Sequence, residues 1–220
     1  MSIKPILFNT EMVRAILDGR KTVTRRVVKL PKNIKEQSNG MYTINTEGDC
    51  YEDCYLDGLY ADGYLIPKYK VGDIIYVKET FCSNYFDECI ARNRNGNATA
   101  YKADYNKQIV GSVVPEPKWT SSIHMPKSAA RIFLKVTDIR VERLQDITEE
   151  QAKAEGCIDF NDKIGNSKFD DVMEFDLTAR DAFAELWDST VKEDWQKFAS
   201  SPWVWVIEFE RCEKPEWWEE

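Results

Sequence analysis

Eight residues near the start of the chain, GRKTVTRR from Gly19 to Arg26, place Lys21 and Thr24 among three arginines, Arg20, Arg25 and Arg26. A lysine crowded by like charges is disfavoured as the protonated cation and moves toward use as a base. A threonine hydroxyl is a poor nucleophile until such a base stands beside it. The same side chains in a binding protein would grip a phosphate. A solvated, β-prone surface strand is the plain structural alternative.

Two other groups of residues carry chemical possibilities. His124, the sole histidine, lies beside Met125 in the proline-bracketed stretch PKWTSSIHMP, which also holds Trp119. Histidine titrates near neutrality and tryptophan offers a stacking face to a base, so the stretch reads as a wall of a site or as a clamped loop with Trp119 filling a core gap. Cys50, Cys54, Cys82 and Cys89 could supply four thiolates, but their spacing lacks the paired CxxC of structural zinc sites. No metal and no cofactor are expected.

The elements that must hold these residues can be read from pattern and punctuation. Thr10 is expected to cap a short helix over residues 11 to 18, in which Met12, Val13, Ile16 and Leu17 share a face and Gly19 supplies the stop. The β-branched TVTRRVV then predicts a strand and puts Lys21 on the turn between the two. Strands are predicted near residues 71 to 78, 131 to 141 and 203 to 210, with Trp203, Trp205, Ile207 and Phe209 on one face of the last and both tryptophans mostly buried. Thr148 and Gln151 form a capping box for a helix that Gly156 ends, which sets the carboxylate of Glu155 in the last turn, where the helix dipole opposes it. A later helix carries Ala179, Ala182, Phe183, Leu186 and Trp187 on one stripe. Residues 38 to 63, with six acids and no lysine or arginine, read as a loop or hairpin insertion, and Asn95-Gly96 signals a further hairpin. In the tail, Trp217 and Trp218 are expected to pack or fray. Strands interrupted irregularly by short helices predict an α+β domain on a curled sheet or small barrel, not a parallel βαβ fold.

With 220 residues the chain can bury a full core, and its 43% hydrophobic and 31% charged residues exclude a disordered protein. The net charge of -8 argues against a protein that coats nucleic acid by bulk electrostatics. Residues 1 to 36 nevertheless hold nine Lys and Arg against three acids. Arg20, Lys21, Arg25 and Arg26 are therefore expected to form the most positive surface of an acidic molecule. The N-terminus shows no signal-peptide pattern and no run reaches the roughly 20 apolar residues of a membrane span, so a cytoplasmic protein with reduced thiols and no membrane partner is expected.

In their order along the chain, four motifs resemble the ASCH domain, a branch of the PUA-like β-barrels: GRKTVTRR after a short helix, Val71-Gly72-Asp73 before an apolar strand, Ile147-Thr148-Glu149-Glu150 opening a helix, and Val206-Ile207-Glu208-Phe209 in the last strand. The resemblance implies one ASCH domain over residues 1–220, a PUA-like small β-barrel with short flanking helices and loop insertions near 38–68, 82–122 and 157–176. Compact members include an amidohydrolase that removes the acetyl group of N4-acetylcytidine with Lys, Thr and Glu, and motif matching assigns those roles to Lys21, Thr24 and Glu155. Arg20, Arg25, Arg26, Trp119 and His124 would then bind substrate, a modified nucleoside or single-stranded nucleic acid. The chain is longer than those members and looks more like the ASCH proteins of phage and prophage genomes. A non-catalytic RNA- or DNA-binding module and an ASCH-type ribonuclease remain the alternatives.

Overall fold

In the computed structural model, residues 2–37, 41–45, 50–83, 99–105, 117–158 and 178–219 are described. They form a mixed α+β arrangement. Its main sheet has five strands in the order β1-β6-β9-β10-β2: β1 (Ile3–Leu7), β6 (Ile74–Lys78), β9 (Phe133–Arg143), β10 (Trp203–Cys212) and β2 (Val23–Val27). β1 runs parallel to β6, whereas β6 with β9 and β10 with β2 are antiparallel. Among the described residues this sheet does not close into a barrel. No helix among them is long and apolar enough to cross a membrane.

The chain divides into two compact units, and β9 and β10 contribute residues to both. The first comprises 1–22, 72–136 and 209–220. It holds β1, helix α1 (Thr10–Leu17), β6, and the short pair β7 (Phe81–Cys82) and β8 (Ala100–Tyr101). Its apolar centre gathers Ile74, Phe81, Met125, Ala130, Phe133 and Trp218. Trp218 packs edge-on against Tyr76 and Phe133, so of the two outcomes expected for the tail, packing or fraying, this tryptophan takes the first.

The cap of α1 differs from expectation. Asn9, not Thr10, is the N-cap, because its side-chain oxygen accepts from the Met12 amide at 2.8 Å and Thr10 is already helical. The stop is as expected: Gly19 adopts φ +76°, a left-handed conformation that a Cβ would disfavour.

The second unit comprises 23–71 and 137–208. The stretch expected to be a loop or hairpin insertion forms β4 (Tyr42–Asn45) and β5 (Cys50–Cys54), antiparallel to each other, with β3 (Ile34–Glu36) completing a three-stranded sheet. It continues into a short helix, α2 (Leu56–Ala61), that no sequence signal indicated. Helices α3 (Glu149–Ala154) and α4 (Ala179–Thr190) both open on capping boxes, Thr148 with Gln151 and Thr178 with Asp181. Glu149 joins them, its carboxylate accepting from the backbone amides of Ala179 at 2.7 Å and Arg180 at 3.1 Å. Those two donors belong to the unsatisfied first turn of α4, where a negative charge is favourable.

Behind them Val23, Leu144, Ile147, Ala152, Ala179, Phe183, Trp187, Val204 and Val206 form one apolar cluster. In β10 the buried run Val204, Trp205, Val206 and Ile207 shows that both faces are covered there, so the expected one-faced alternation gives way to a fully buried strand. Trp205 is buried as expected, but Trp203 is only partly so, with the Arg143 guanidinium 4.3 Å over its ring.

Candidate functional site

β2 decides which way the motif residues face. In a strand, alternate side chains share a face, so Thr24 and Arg26 lie on one side and Val23 and Arg25 on the other. The register confirms that the segment is firmly paired, with Thr24 opposite Ile207 and Arg25 opposite Val206. Each face then gives its polar residues a different environment.

On the Arg25 face the guanidinium is 1% exposed and enters a set of polar side chains supplied by α3 and β9. It donates to Glu155 at 3.3 Å, Gln151 at 3.0 Å and Glu142 at 3.5 Å, and its plane lies 5.9 Å from the Phe183 ring. Its Nε has no hydrogen-bond partner. Gln151 also accepts from the Thr148 amide at 3.1 Å, so the capping box that starts α3 orients the side chain that receives Arg25. Glu155 is the C-cap of α3 and only 5% exposed. The helix end opposes its charge, and the Arg25 cation offsets that cost.

On the other face Thr24 is 1% exposed, and its hydroxyl accepts from Arg26 Nη1 at 2.8 Å. The same nitrogen donates to the Arg25 carbonyl at 2.7 Å, which fixes the guanidinium against the strand. Burial lowers the pKa of Arg26, with the Glu155 carboxylate and Tyr69 opposing the shift. Burial also pushes the Tyr69 phenol up to about 12, against the pull of Arg26. A guanidinium thus stands at the Thr24 hydroxyl in a desolvated setting, where its field is strong.

Lys21 is 2% exposed. Its backbone amide donates to Ala15 at 3.0 Å at the end of α1, and its ammonium lies 5.5 Å from the centre of the Phe8 ring. The position on the helix-to-strand turn is the one its sequence predicts. The expected positive surface is not what these residues form: Lys21 and Arg25 are buried, Arg26 is partly buried, and the exposed Arg20 pairs with Asp18 at 2.9 Å. A strand covered on both faces draws its polar side chains inside, and nearby acids neutralise them.

Trp119 is half-buried and meets Tyr105 edge-on at 5.4 Å, with its indole N–H buried and unbonded. His124 closes a short 3-10 turn, Ser122–His124, and is exposed. The loop is anchored elsewhere: Met125 is buried with its sulfur accepting from the Glu79 amide at 3.1 Å, and Lys78 donates to the Ile123 carbonyl at 2.7 Å. Neither Cys54 nor Cys82 is in a disulfide, and no group of three or more potential metal ligands occurs among the described residues. Cys89 and Asn95-Gly96 lie outside the described residues, as does the Cys50 side chain.

Sequence reasoning missed a second charged cluster, in the first unit. Glu79, 1% exposed, receives both arms of Arg131 at 2.8 and 3.0 Å, and Arg131 also reaches Asp104 at 3.1 Å while covering the Tyr101 ring at 3.9 Å. Burial raises the Glu79 pKa and Arg131 opposes the shift. A lone Glu in VKETF gave little signal, since its partner Arg131 lies 52 residues on and the second carboxylate on that arginine, Asp104, sits on a separate short turn. The comparisons with protein-family models, with curated proteins and with solved structures returned no match.

Proposed function

We propose that the chain is a nucleoside- or nucleic-acid-directed hydrolase of the ASCH type, acting in the cytoplasm on the amide bond of an N4-acylated cytidine through Lys21, Thr24 and Glu155. The fold that accompanies this reading is a PUA-like barrel in a single domain, for which the five-stranded sheet and short helices offer coarse support. One observation carries the reading: Lys21, Thr24 and Glu155 are 2%, 1% and 5% exposed. Lysine and glutamate are rarely buried without a specific reason, and the solvated-strand alternative leaves all three in water.

In the proposed reaction Thr24 Oγ1 attacks the acyl carbonyl carbon while Lys21 takes the hydroxyl proton. The tetrahedral oxyanion forms beside the Arg26 guanidinium, already 2.8 Å from Oγ1. The C–N bond then breaks, the amine leaves with the proton returned from Lys21, and water hydrolyses the acyl-threonine to regenerate the hydroxyl. Glu155 positions the cations around it. Arg25, committed to carboxylates, is less suited to contact substrate than Arg26.

A phosphate-gripping module, or a ribonuclease working by the same grip, would need its cations exposed, and the burial of Lys21 and Arg25 favours the hydrolase over both. The test is loss of the acetyl group from N4-acetylcytidine, read as cytidine, and from an acetylated oligonucleotide, read as the deacetylated strand, both followed by chromatography. The wild type should release cytidine, and Thr24→Ala and Glu155→Gln should lose most of that activity. A wild type inert on both substrates would overturn the proposal.

A further inference from the structure

The second unit holds a cavity of about 700 Å³ whose walls include Lys29, Glu36, Tyr42, Arg143, Trp195 and Trp203. That volume falls in the range of small-molecule sites. Its walls combine flat aromatic faces with charged and polar side chains. Trp195 is 55% exposed, an unusual state for a large aromatic with no other task, and Trp203 is stacked beneath Arg143 at 4.3 Å. Arg143 is itself held by the Ser201 carbonyl at 3.2 Å and by Glu36 at 3.7 Å, so the stack is fixed before anything binds.

Two wall residues carry buried polar atoms with unmet capacity. Tyr42 is 0% exposed and its hydroxyl makes no hydrogen bond of acceptable geometry, nor does the Trp203 indole N–H. The Glu36 carboxylate and the Trp203 indole nonetheless come within loose hydrogen-bonding reach of the Tyr42 hydroxyl, so the three groups share one corner. Groups of this kind cost stability unless they are satisfied, and a native fold keeps them where they have a use. The corner offers a donor at Trp203, an acceptor at Glu36, and a hydroxyl able to do either at Tyr42.

We infer that this cavity binds a planar nitrogen heterocycle whose edge presents an amino donor beside a ring or carbonyl acceptor. The amino group is received by the Glu36 carboxylate, the acceptor takes the Trp203 N–H or the Tyr42 hydroxyl after a small side-chain rotation, and the ring lies against the tryptophan faces. Stacking tolerates any planar ring, so selectivity rests on the polar corner. The inference stands apart from the Lys21, Thr24 and Glu155 reading, because it requires no acyl group and no bond cleavage.

The experiment is calorimetric titration of the whole chain with adenosine and with purine riboside, which keeps the ring and lacks the exocyclic amino group. Adenosine should bind, and purine riboside about tenfold more weakly, since it offers Glu36 no donor beyond Arg143. Tyr42→Phe removes an unbonded buried hydroxyl, so thermal unfolding should be unchanged or raised while adenosine binding weakens about three- to tenfold. Trp195→Ala, at an exposed position, should weaken both ligands alike. Equal affinity for the two nucleosides, no binding of adenosine at millimolar concentration, or full affinity in both Tyr42→Phe and Trp195→Ala would overturn the inference.

Discussion

Arg25 and Arg131 are each held by two carboxylates, one in each unit, yet their satisfaction differs. Arg131 binds Glu79 through a parallel pair of bonds at 2.8 and 3.0 Å, adds Asp104, rests on the Tyr101 ring and stays 28% exposed. Arg25 is 1% exposed, its carboxylate contacts lengthen to 3.3 and 3.5 Å, and its Nε is unbonded. The first is the geometry of a finished bidentate pair with access to water. The second keeps a fully desolvated charge on partial bonds, which costs stability. Quality of satisfaction, more than number of partners, therefore separates the finished brace at Arg131 from the partly bonded Arg25.

Breaking each cluster should expose the difference. Arg25→Met leaves the Glu155 carboxylate buried without its guanidinium, and a loss of about 3–5 kcal/mol is expected in urea unfolding. A loss under about 1 kcal/mol would mean that Glu155 does not depend on Arg25. Replacement by lysine sharpens the contrast, because lysine keeps the charge and loses the fork. Arg131→Lys should cost about 1–3 kcal/mol, and Arg25→Lys less, since fewer well-made bonds are lost. The reverse order would dissolve the distinction.

A smaller effect is expected one step removed. Thr148→Ala deletes the side-chain cap of α3, worth about 1 kcal/mol, and loosens the first turn that carries Gln151 to Arg25, although the backbone amide from which Gln151 Oε1 accepts remains. Proposed hydrolysis should fall in this variant by more than its stability change alone accounts for, measured well below the melting temperature. At neutral pH the smallest change is expected from Tyr69→Phe. The folded pKa of Tyr69 is raised to about 12 from an ordinary 10, so its contribution is complete below pH 10 and is lost as pH climbs toward 12. The variant should therefore flatten the stability curve above pH 10 and leave it unchanged near pH 7.

What was legible in the sequence follows the range of the interactions. Local signals carried α1, β2, the Thr148 capping box and the left-handed Gly19, because each is set by residues within a few positions of one another. The N-cap was displaced by one residue, since Asn9 and Thr10 are both able caps and only the backbone chooses. Lys21, Thr24 and Glu155 could be nominated, but not their burial. Arg25 meets its partners 117 to 130 residues away, and nothing in a basic octapeptide announces that acids from β9 and α3 will enclose it. The Glu79 and Arg131 brace and the cavity walled by Glu36, Tyr42 and Trp203 stayed hidden for the same reason.

Whether Lys21 and Thr24 act as one unit in the proposed hydrolysis is decided by the rate of cytidine release from N4-acetylcytidine in Lys21→Ala, Thr24→Ala and the double variant. Residues that serve one step are strongly non-additive. Each single change is expected to remove about a thousandfold or more of the rate, and the double change to remove little beyond either single one. Losses that multiply in the double variant, or a Thr24→Ala protein that keeps wild-type activity, would contradict the account.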